Sequence, residues 1–459
     1  MSIISNALSG SIAAQAALGA ASQNIANLQT PGYTRQGVLL TSLGAGVGVR
    51  SAGNGVQVSA LLRFADDYKT QQMWRAASDL GARTQTQPYL TQLERVMGDN
   101  SSSISNGIDG FFTALNAAAV DPTSTPLRQQ IITSADAMAQ HFNSISNVMN
   151  NQLLSVRQQR DAIMPQANTA LAGIAALNQT ISSSIAAGTN VSALIDARDQ
   201  LIDGLASQMS ISITDQADGS RNISLKTGQP LVIGSIPATM SSNMSSTGEP
   251  VLSVKFANAS FTLDKVAVGG QLGGLGDFEQ NTLQPLIQSV ADLAQSLTTK
   301  VNAQLQAGQT IGTPGVPGTP GKPLLVYANG KMSIADNYTT ADLALANSGG
   351  AAGDSGNLQK LIDIKNQSTN VSWVGSVLIG DADTQLVGKL GINSQQNQAL
   401  QKTASTVRDQ AVNDWKATSG VNKDEEAMNL VEFQNMYQAN MKVISVANSL
   451  FDATLQMMG

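Results

Sequence analysis

The sequence predicts a multidomain α+β protein with paired N- and C-terminal α-helices of coiled-coil type, a long-helix bundle domain and an inserted β-rich domain. Three observations predict this class. Apolar residues recur at helical spacing at both ends of the chain, and helical patterning continues through most of residues 64–207. Residues 209–268 instead alternate apolar and polar side chains around turn residues. A chain that begins and ends in helix around such a middle is predicted to be nested, so that its outer segments pair.

Composition limits how much apolar surface the chain can bury. Its 459 residues are 42% hydrophobic, enough for about three domains, but only 4% aromatic and 13% charged. A core of alanine and small aliphatic residues lets helices approach closely yet removes little area from water per residue. We therefore expect partners to complete the burial.

Charge and cysteine usage exclude several classes of function. The net charge is −6, and no basic stripe predicts nucleic-acid binding. We expect no membrane insertion, because no uninterrupted apolar run is long enough to cross a bilayer, and the N-terminus shows no cleavable secretory pattern. The chain has no cysteine, which removes disulfides and thiolate sites and fits a reducing cytosol or a narrow export route.

The N-terminal segment predicts a helix over residues 3–28 that ends at Pro31-Gly32. Its side chains recur every three or four residues along one stripe, namely Ile4, Leu8, Ser11, Ala14, Leu18, Ala21 and Ile25. The block "SQNIANLQTPGYTRQ" follows, in which Asn24, Asn27 and Thr30 are typical of a helix stop and a turn.

The next predicted elements lie between residues 37 and 207. Alternation in "GVQVSAL" and the turn Gly53-Asn54-Gly55 predict a short β-hairpin. Helices are predicted over residues 64–98, 108–118, 126–187 and 191–207. Pro165 is expected to kink or split the longest of them.

The middle of the chain changes character at about residue 209. "SISITDQADGSRNISL" predicts a hairpin around Asp218-Gly219, and the β-rich pattern continues to about residue 268. Residues 276–307 are predicted to return to helix, residues 312–323 to form an extended surface loop, and residues 324–395 to be mixed.

The chain is predicted to be helical from residue 396 to its end. A heptad seam runs through Leu430, Phe433, Tyr437, Asn440, Ile444, Ala447, Phe451, Thr454 and Met458. Asn422 and Glu425 have the spacing of a capping box. The predicted domains are residues 1–62 with 396–459 (terminal helices and hairpin connector), 63–206 with 270–395 (helical bundle) and 207–269 (β-rich).

Several short motifs resemble catalytic or phosphate sites. "GDSG" at Gly353–Gly356 would make Ser355 a nucleophile, but that chemistry needs a histidine base, and the only histidine, His141, lies in a predicted helix. "GAGVGV" at residues 44–49 lacks the spacing of a dinucleotide loop, and "PGKP" at residues 320–323 lacks that of a P-loop. Turns and a hairpin are the preferred interpretations.

Metal binding has two weak candidates. The run Asp424-Glu425-Glu426 could bind a divalent cation, but a charged helix N-terminus explains it more simply. His141 has no cysteine or second histidine to complete a site. We predict no catalytic residue, no cofactor and no metal ligand, and hence no enzyme.

Three segments together resemble a known family. They are "NALSGSIAAQAALGAASQNIANLQTPGYTRQ" (Asn6–Gln36), "LIDARDQLIDGLA" (Leu194–Ala206) and "SGVNKDEEAMNLVEFQNMYQANMKVISVANSLFDATL" (Ser419–Leu455). The chain resembles the bacterial flagellar axial proteins of the rod and hook group. Gly-Tyr-Thr-Arg-Gln at Gly32–Gln36 and the acidic trio are similar to the branch that joins hook to filament.

The resemblance implies a structural protein of the extracellular flagellum. It implies a ring between hook and filament in which the terminal helices line an inner tube and the β domain faces the medium. The implied partners are other copies of the chain, the hook protein, the next hook-associated junction protein on the filament side, a cytoplasmic export chaperone, and the flagellar type III export apparatus, which passes the chain without cleaving a signal. Because this chain is short, fewer outer domains are expected than in larger members.

The resemblance and the helical stripes together predict which residues contact other subunits. These are Ile4, Leu8, Leu18, Asn24, Ile25, Asn27, Tyr33, Arg35, Leu430, Phe433, Tyr437, Ile444 and Phe451. We hypothesise that both ends are largely disordered until assembly orders them. The alternatives are another axial protein (hook or distal rod), a secreted enzyme, and a secreted type III effector or adhesin.

Overall fold

The structure is a computed structural model that describes residues 2–44, 53–246, 250–312, 318–351 and 353–458. It is a mixed α+β protein in which helices predominate. The helices are α1 (Ser2–Ala26), α2 (Asp67–Met97), α3 (Ile104–Ala118), α4 (Thr125–Ala186), α5 (Ser192–Gln208), α6 (Gly270–Phe278), α7 (Gln284–Ala307), α8 (Gly356–Asp363), α9 (Ala382–Ser419) and α10 (Lys423–Met458).

The strands form small antiparallel sheets. They are β1 (Gln36–Ser42), β2 (Val56–Arg63), β3 (Ile211–Asp215), β4 (Arg221–Leu225), β5 (Pro230–Ile233), β6 (Ile236–Pro237), β7 (Thr239–Met244), β8 (Pro250–Phe256), β9 (Ala259–Leu263), β10 (Gly308–Gln309), β11 (Leu325–Ala328), β12 (Lys331–Ile334), β13 (Ala346–Asn347), β14 (Ser368–Val371) and β15 (Gly375–Leu378).

Helices α1 and α10 lie side by side along most of α1. A Cβ atom added at Gly10 would come within 2.6 Å of Asn440 Oδ1. The chain that leaves the C-terminal end of α1 meets the beginning of α10, where Arg35 contacts Glu425. The two helices are therefore antiparallel, and with Gly10 opposite Asn440 the start of α1 lies opposite about residue 448. The last turns of α10 extend beyond α1.

The face of α1 that packs on α10 consists of small residues. Ala7, Ser11, Ala14, Ala17 and Ala21 are buried. The predicted stripe was partly wrong, because its larger members Ile4, Leu8 and Ile25 are exposed. The physical reason is that alanine and glycine let two helix backbones approach closely, so the small side chains define the contact face.

The half-buried face of α10 matches the predicted heptad seam from Leu430 to Ala447. Beyond it, Phe451 and Thr454 are exposed because α10 has passed the start of α1 there. Beyond the start of α1 the seam therefore has no partner within the described part of this chain, and its contacts there stay a prediction.

Helix α1, over Ile3–Ala26, is long and apolar enough to span a bilayer by its length and composition. The expectation from the sequence concerned uninterrupted apolar runs, and polar residues such as Ser5, Asn6 and Ser9 do interrupt this helix. Length and composition alone do not separate a membrane span from a packed helix, and α1 buries its alanine face on α10.

Strands β1 and β2 form the predicted hairpin, paired from Gln36↔Arg63 to Ser42↔Val56 with a bulge between Leu39 and Leu40. The hairpin rests on α1, where Ser9 Oγ accepts a hydrogen bond from the Val56 amide at 3.2 Å. Most of the "GAGVGV" motif lies outside the described residues.

Helices α2–α9 supply the helical part of the core. Phe111, Phe112, Met138 and Leu293 are buried in one continuous apolar cluster. Helix α4 is continuous over 62 residues with Pro165 inside it. Of the two expected effects of Pro165, splitting of the helix is therefore wrong, and a kink stays a prediction. A π-helical turn, Glu279–Leu283, joins α6 to α7.

The β-rich segment lies between α5 and α6, as its sequence pattern predicted. It comprises a sheet of order β3-β4-β5-β6 and another of order β7-β8-β9. The first hairpin turns at Asp218-Gly219, with Asp215 opposite Arg221 and Gly219 at a φ of +81°. The positive φ explains the glycine.

The "GDSG" segment forms the turn before α8. Asp354 Oδ2 accepts a hydrogen bond from the Asn347 amide at 2.7 Å, and its Oδ1 accepts one from the Gly356 amide at 3.0 Å. Asp354 therefore holds the turn, and Ser355 is the N-cap residue that precedes α8.

Helix α9 begins at Ala382, earlier than predicted, and packs along α2. The predicted domain boundary at residue 396 falls inside this helix, and the division into domains stays a prediction. Residues 420–422 separate α9 from α10. Gly388 and Gly391 weaken the helical signal in the sequence, but packing against α2 outweighs intrinsic propensity.

Candidate assembly interface

Asn24 closes the turn that follows α1. Its Nδ2 donates to the Gln36 carbonyl at 2.8 Å, and its Oδ1 accepts from the Gln36 amide at 3.0 Å and from the Tyr33 hydroxyl at 2.9 Å. Asn24 is only 1% exposed. One buried amide side chain therefore fastens the end of α1 to the beginning of β1.

The exposed part of this turn is organised locally. Asn27 Nδ2 donates to the Gln23 carbonyl at 2.9 Å, and Thr30 Oγ1 donates to Asn27 Oδ1 at 3.1 Å. Gly32 has a φ of +76°, which favours glycine. Both of these side-chain hydrogen bonds of Asn27 lie within the end of α1 and the turn that follows it.

Tyr33 lies beside two carboxylates. Burial, followed by the nearby charges of Asp196 and Glu426, raises the pKa of Tyr33 to about 12. Tyr33 therefore stays protonated at neutral pH and keeps its donor to Asn24.

Arg35 joins the N-terminal turn to the break between α9 and α10. Its amide donates to the Ser419 carbonyl at 2.8 Å, and its carbonyl accepts from the Phe64 amide at 2.9 Å. Its guanidinium lies over the Phe64 ring and pairs with Glu425 at 2.6 Å. Arg35 thus connects three separate segments of the chain.

The predicted capping box at α10 is only half formed. Asn422 Oδ1 accepts hydrogen bonds from the Asp424 and Glu425 amides at 3.0 and 3.4 Å. Within the described residues, the Glu425 carboxylate accepts a hydrogen bond from Arg35 and none from the N-cap backbone amide. The attraction of an arginine for the carboxylate explains why the reciprocal bond gives way.

Helix α5 carries a row of carboxylates that the sequence analysis did not single out as interacting residues. Asp196 accepts from the Thr34 amide at 3.0 Å and from Arg63 Nε at 2.9 Å. Asp199 pairs with Arg63 at 3.0 Å and with Arg221 at 2.6 Å. The spacing of aspartates along "LIDARDQLID", three and then four residues apart, was the available signal, because such residues share one helix face.

The third carboxylate of the row lies within the helical part of the chain. Asp203 pairs with Arg408 of α9 at 2.7 Å. The α5 row is thus Asp196, Asp199 and Asp203, and it contacts the terminal hairpin, the β-rich segment and α9 in turn.

The paired terminal helices expose many large apolar side chains. On α1 and α10 these include Ile3, Ile4, Leu8, Ile12, Ile25, Met428, Val431, Met436, Val443, Leu450, Phe451 and Met457. The hairpin adds Leu39, Leu40, Leu61 and Leu62. Large exposed apolar patches are typical of interaction sites, and these side chains are therefore candidates for contacts between subunits.

The predicted contact residues fall into three groups. Asn24, Asn27, Tyr33 and Arg35 lie in or beside the turn after α1. Leu430, Phe433, Tyr437 and Ile444 lie in the half-buried seam of α10, and Leu18 is half-buried on α1. Ile4, Leu8, Ile25 and Phe451 are exposed. Their roles in contacts between subunits stay predictions.

No metal cluster competes with this interpretation within the described residues: no group of three or more His, Cys, Asp or Glu side chains there could hold an ion. The acidic run at the start of α10 instead supplies Glu425 to Arg35.

Comparison with protein families gives two matches. Residues 90–324 match the model described as the flagellar hook-associated protein FlgK helical domain. Residues 417–457 match that of the flagellar basal body rod FlgEFG protein C-terminal region.

Individual relatives agree with these matches. The chain is 27% identical to flagellar hook-associated protein 1 of Escherichia coli K12, over 99% of each chain. It is 23% identical to the Bacillus subtilis protein of the same name, over 97% of this chain and 96% of the other. The solved flagellar hook junction protein FlgK from Burkholderia pseudomallei superposes with a TM-score of 0.52 at 25% identity, covering 56% of this chain and 47% of that one.

Proposed function

We propose that this chain, which belongs to the family of flagellar hook-associated protein FlgK, joins the hook to the filament as a ring of subunits. Membership makes it a flagellar hook-associated structural protein. The family is a structural one, so no catalytic role is assigned to Ser355. The assembly into a ring and the position between hook and filament are proposed in addition to this membership.

One observation carries the proposal. Small side chains hold α1 and α10 together while large apolar side chains, such as Leu8, Ile12, Val443 and Leu450, point away from the pair. An isolated protein gains nothing from that arrangement, because apolar area left in water forgoes about 25 cal/mol per Å². Neighbouring copies that cover both helices gain that free energy.

The interfaces in such a ring join unlike surfaces. Because α1 and α10 each present a different apolar row, a contact between the α1 row of one copy and the α10 row of the next is heterologous. Repetition of a heterologous contact generates a closed ring or a helix. The hook protein and the next hook-associated junction protein would cover the two ends.

The remaining proposals concern organisation and route. We place the terminal helices at the inner wall, followed by the α2–α9 bundle, with the β3–β9 segment facing the medium. We also propose export by the flagellar type III apparatus without a cleaved signal, after a chaperone has bound near the C-terminus. The site of function is then outside the cell, at the hook–filament junction.

The first test is deletion of the gene. We expect complete hooks without filaments by electron microscopy, with monomeric flagellin shed into the medium. A plasmid that carries the unchanged gene should restore filaments. Absence of hooks would transfer the protein to the rod or the hook, and normal filaments would contradict the axial role and favour an effector, adhesin or enzyme.

A further inference from the structure

We propose that Asp196 and Asp199 of α5 are positioning residues that set the orientation of the terminal module relative to the rest of the chain. The terminal module is defined as α1, the β1–β2 hairpin and α10. The rest of the described chain, from Asp67 to Ser419, is called the body.

The terminal module has little packing of its own against the body. Its extended contacts are internal, between α1 and α10 and between α1 and the hairpin, and within the described residues none of its helices or strands packs extensively on a helix or strand of the body. Two short chain connections, residues 64–66 and 420–422, join the two parts. Orientation must therefore depend on specific polar contacts.

The side-chain contacts of this kind converge on α5, and the Arg35 amide adds one backbone contact to the Ser419 carbonyl at 2.8 Å. Asp196 holds both strands of the hairpin at their base, because it accepts from the Thr34 amide just before β1 and from Arg63 at the end of β2. Asp199 holds Arg63 a second time at 3.0 Å. One turn of α5 thus binds the terminal module at the point where the module joins the body.

A cleft beside these contacts leaves room for the terminal module to rotate relative to the body. It has a volume of about 570 Å³ and separates the turn of residues 27–33 from the C-terminal part of α9. Pro31, Met73 and Trp415 line it. Because this side of the joint is open, the polar contacts on α5 oppose rotation across the cleft.

Asp199 also connects the module to the β-rich segment. It accepts from Arg63 of the hairpin and, through its other oxygen, from Arg221 of β4 at 2.6 Å. Arg221 in turn pairs with Asp215 and Asp67. A displacement of β4 therefore changes the ion pair that holds the hairpin.

The contacts of Asp196 and Asp199 with Arg63 are electrostatic and are expected to weaken as salt is added. The side chains of Arg63, Asp196 and Asp199 retain 15%, 10% and 13% exposure, so solvent ions reach them. Partly buried pairs are screened less than surface pairs, but a Debye length of about 3 Å near 1 M salt weakens them.

The absence of cysteine allows a direct measurement of this orientation. Spin labels are attached to the full-length chain at Leu40→Cys in β1 and Leu154→Cys in α4, both exposed positions. Electron paramagnetic resonance then gives the distribution of distances between them. Because Asp196 and Asp199 hold the base of the hairpin itself, we expect one narrow distance at low ionic strength even where α1 and α10 exchange freely in the isolated chain. The double variant Asp196→Asn/Asp199→Asn should lose that narrow distance.

Asp203→Asn is the matched control. It removes the third carboxylate of the same row, but the only ion pair that it breaks is the one with Arg408, which lies inside the body. It should keep the narrow distance. High salt should remove the narrow distance from the unsubstituted chain, which tests the proposal without any substitution in α5.

Two results would overturn the proposal. One is a distribution of label-to-label distances that stays the same in the double variant and at high salt. The other is a distribution of these distances that is already broad in the unsubstituted chain at low salt. Both concern the isolated chain, so neither depends on where the protein acts in the flagellum.

Discussion

Replacing Glu279 by leucine is expected to lower the free energy of unfolding by about 3–5 kcal/mol. Glu279 is fully buried in the π-helical turn between α6 and α7. Its two carboxylate oxygens pair with Arg157 at 3.0 Å and with Arg160 at 2.9 Å, and Arg160 is itself fully buried. Without the carboxylate, the Arg160 charge is left uncompensated in the core.

The measurement is guanidinium denaturation followed by circular dichroism. Asp277→Asn serves as a control at the same turn, since Asp277 accepts an exposed hydrogen bond from Asn281. We expect the control to change stability by no more than about 0.5 kcal/mol. Equal midpoints for Glu279→Leu and the control would show that the pair contributes nothing.

A combined replacement separates two quantities: the net contribution of these ion pairs to stability, and the stability lost when only the carboxylate is removed. Changing Arg157 and Arg160 to methionine together with Glu279→Leu removes all three charges. Buried ion pairs replaced by apolar residues of similar volume are often neutral or stabilising, by up to about 4 kcal/mol. The triple variant is therefore expected to recover most of the stability that Glu279→Leu loses.

Replacing Asn24 by alanine is expected to detach the hairpin from α1. The change leaves the Gln36 amide, the Gln36 carbonyl and the Tyr33 hydroxyl without their partner. Each unsatisfied buried group costs about 1–3 kcal/mol, and at least one of these is expected to stay buried. A deletion strain that carries this variant should not swim in soft agar.

Thr30→Ala is the matched control for this prediction. It removes one hydrogen bond of the same turn, from Thr30 Oγ1 to Asn27 Oδ1, which is exposed and local. The control strain should swim. Swimming with Asn24→Ala at the rate of the control would contradict the role assigned to Asn24.

Much of the fold could be predicted from local patterns. The long helices follow from their periodicity, and the Asp218-Gly219 hairpin follows from its turn residues and alternation. The α10 seam from Leu430 to Ala447 also follows, because large apolar residues repeat there at heptad spacing.

Features that depend on distant contacts could not be predicted this way. Sequence ranks Ile4 and Leu8 above alanine as packing residues, yet the contact face of α1 is set by how closely α10 can approach. The start of α9 was missed because Gly388 and Gly391 interrupt its pattern, while packing on α2 extends the helix.

The candidate site divides in the same way. The turn of Asn24, Tyr33 and Arg35 is visible because its polar residues interrupt an apolar helix. Their partners are not, since Glu425 is 390 positions from Arg35 and Asp196 is 162 positions from Thr34. The local pattern of "LIDARDQLID" does not indicate that its aspartates bind the β1–β2 hairpin, which lies more than 130 positions earlier in the chain.

The central claim is that other subunits, and not the chain alone, complete the packing of α1 and α10. Hydrogen exchange, measured by mass spectrometry on the isolated chain and on the chain within purified hook–filament junctions, tests it most directly. We predict fast exchange in residues 3–26 and 424–455 of the isolated chain, slow exchange in α4 and α7, and protection of both terminal helices after assembly. Full protection of those two segments in the isolated chain would contradict the claim.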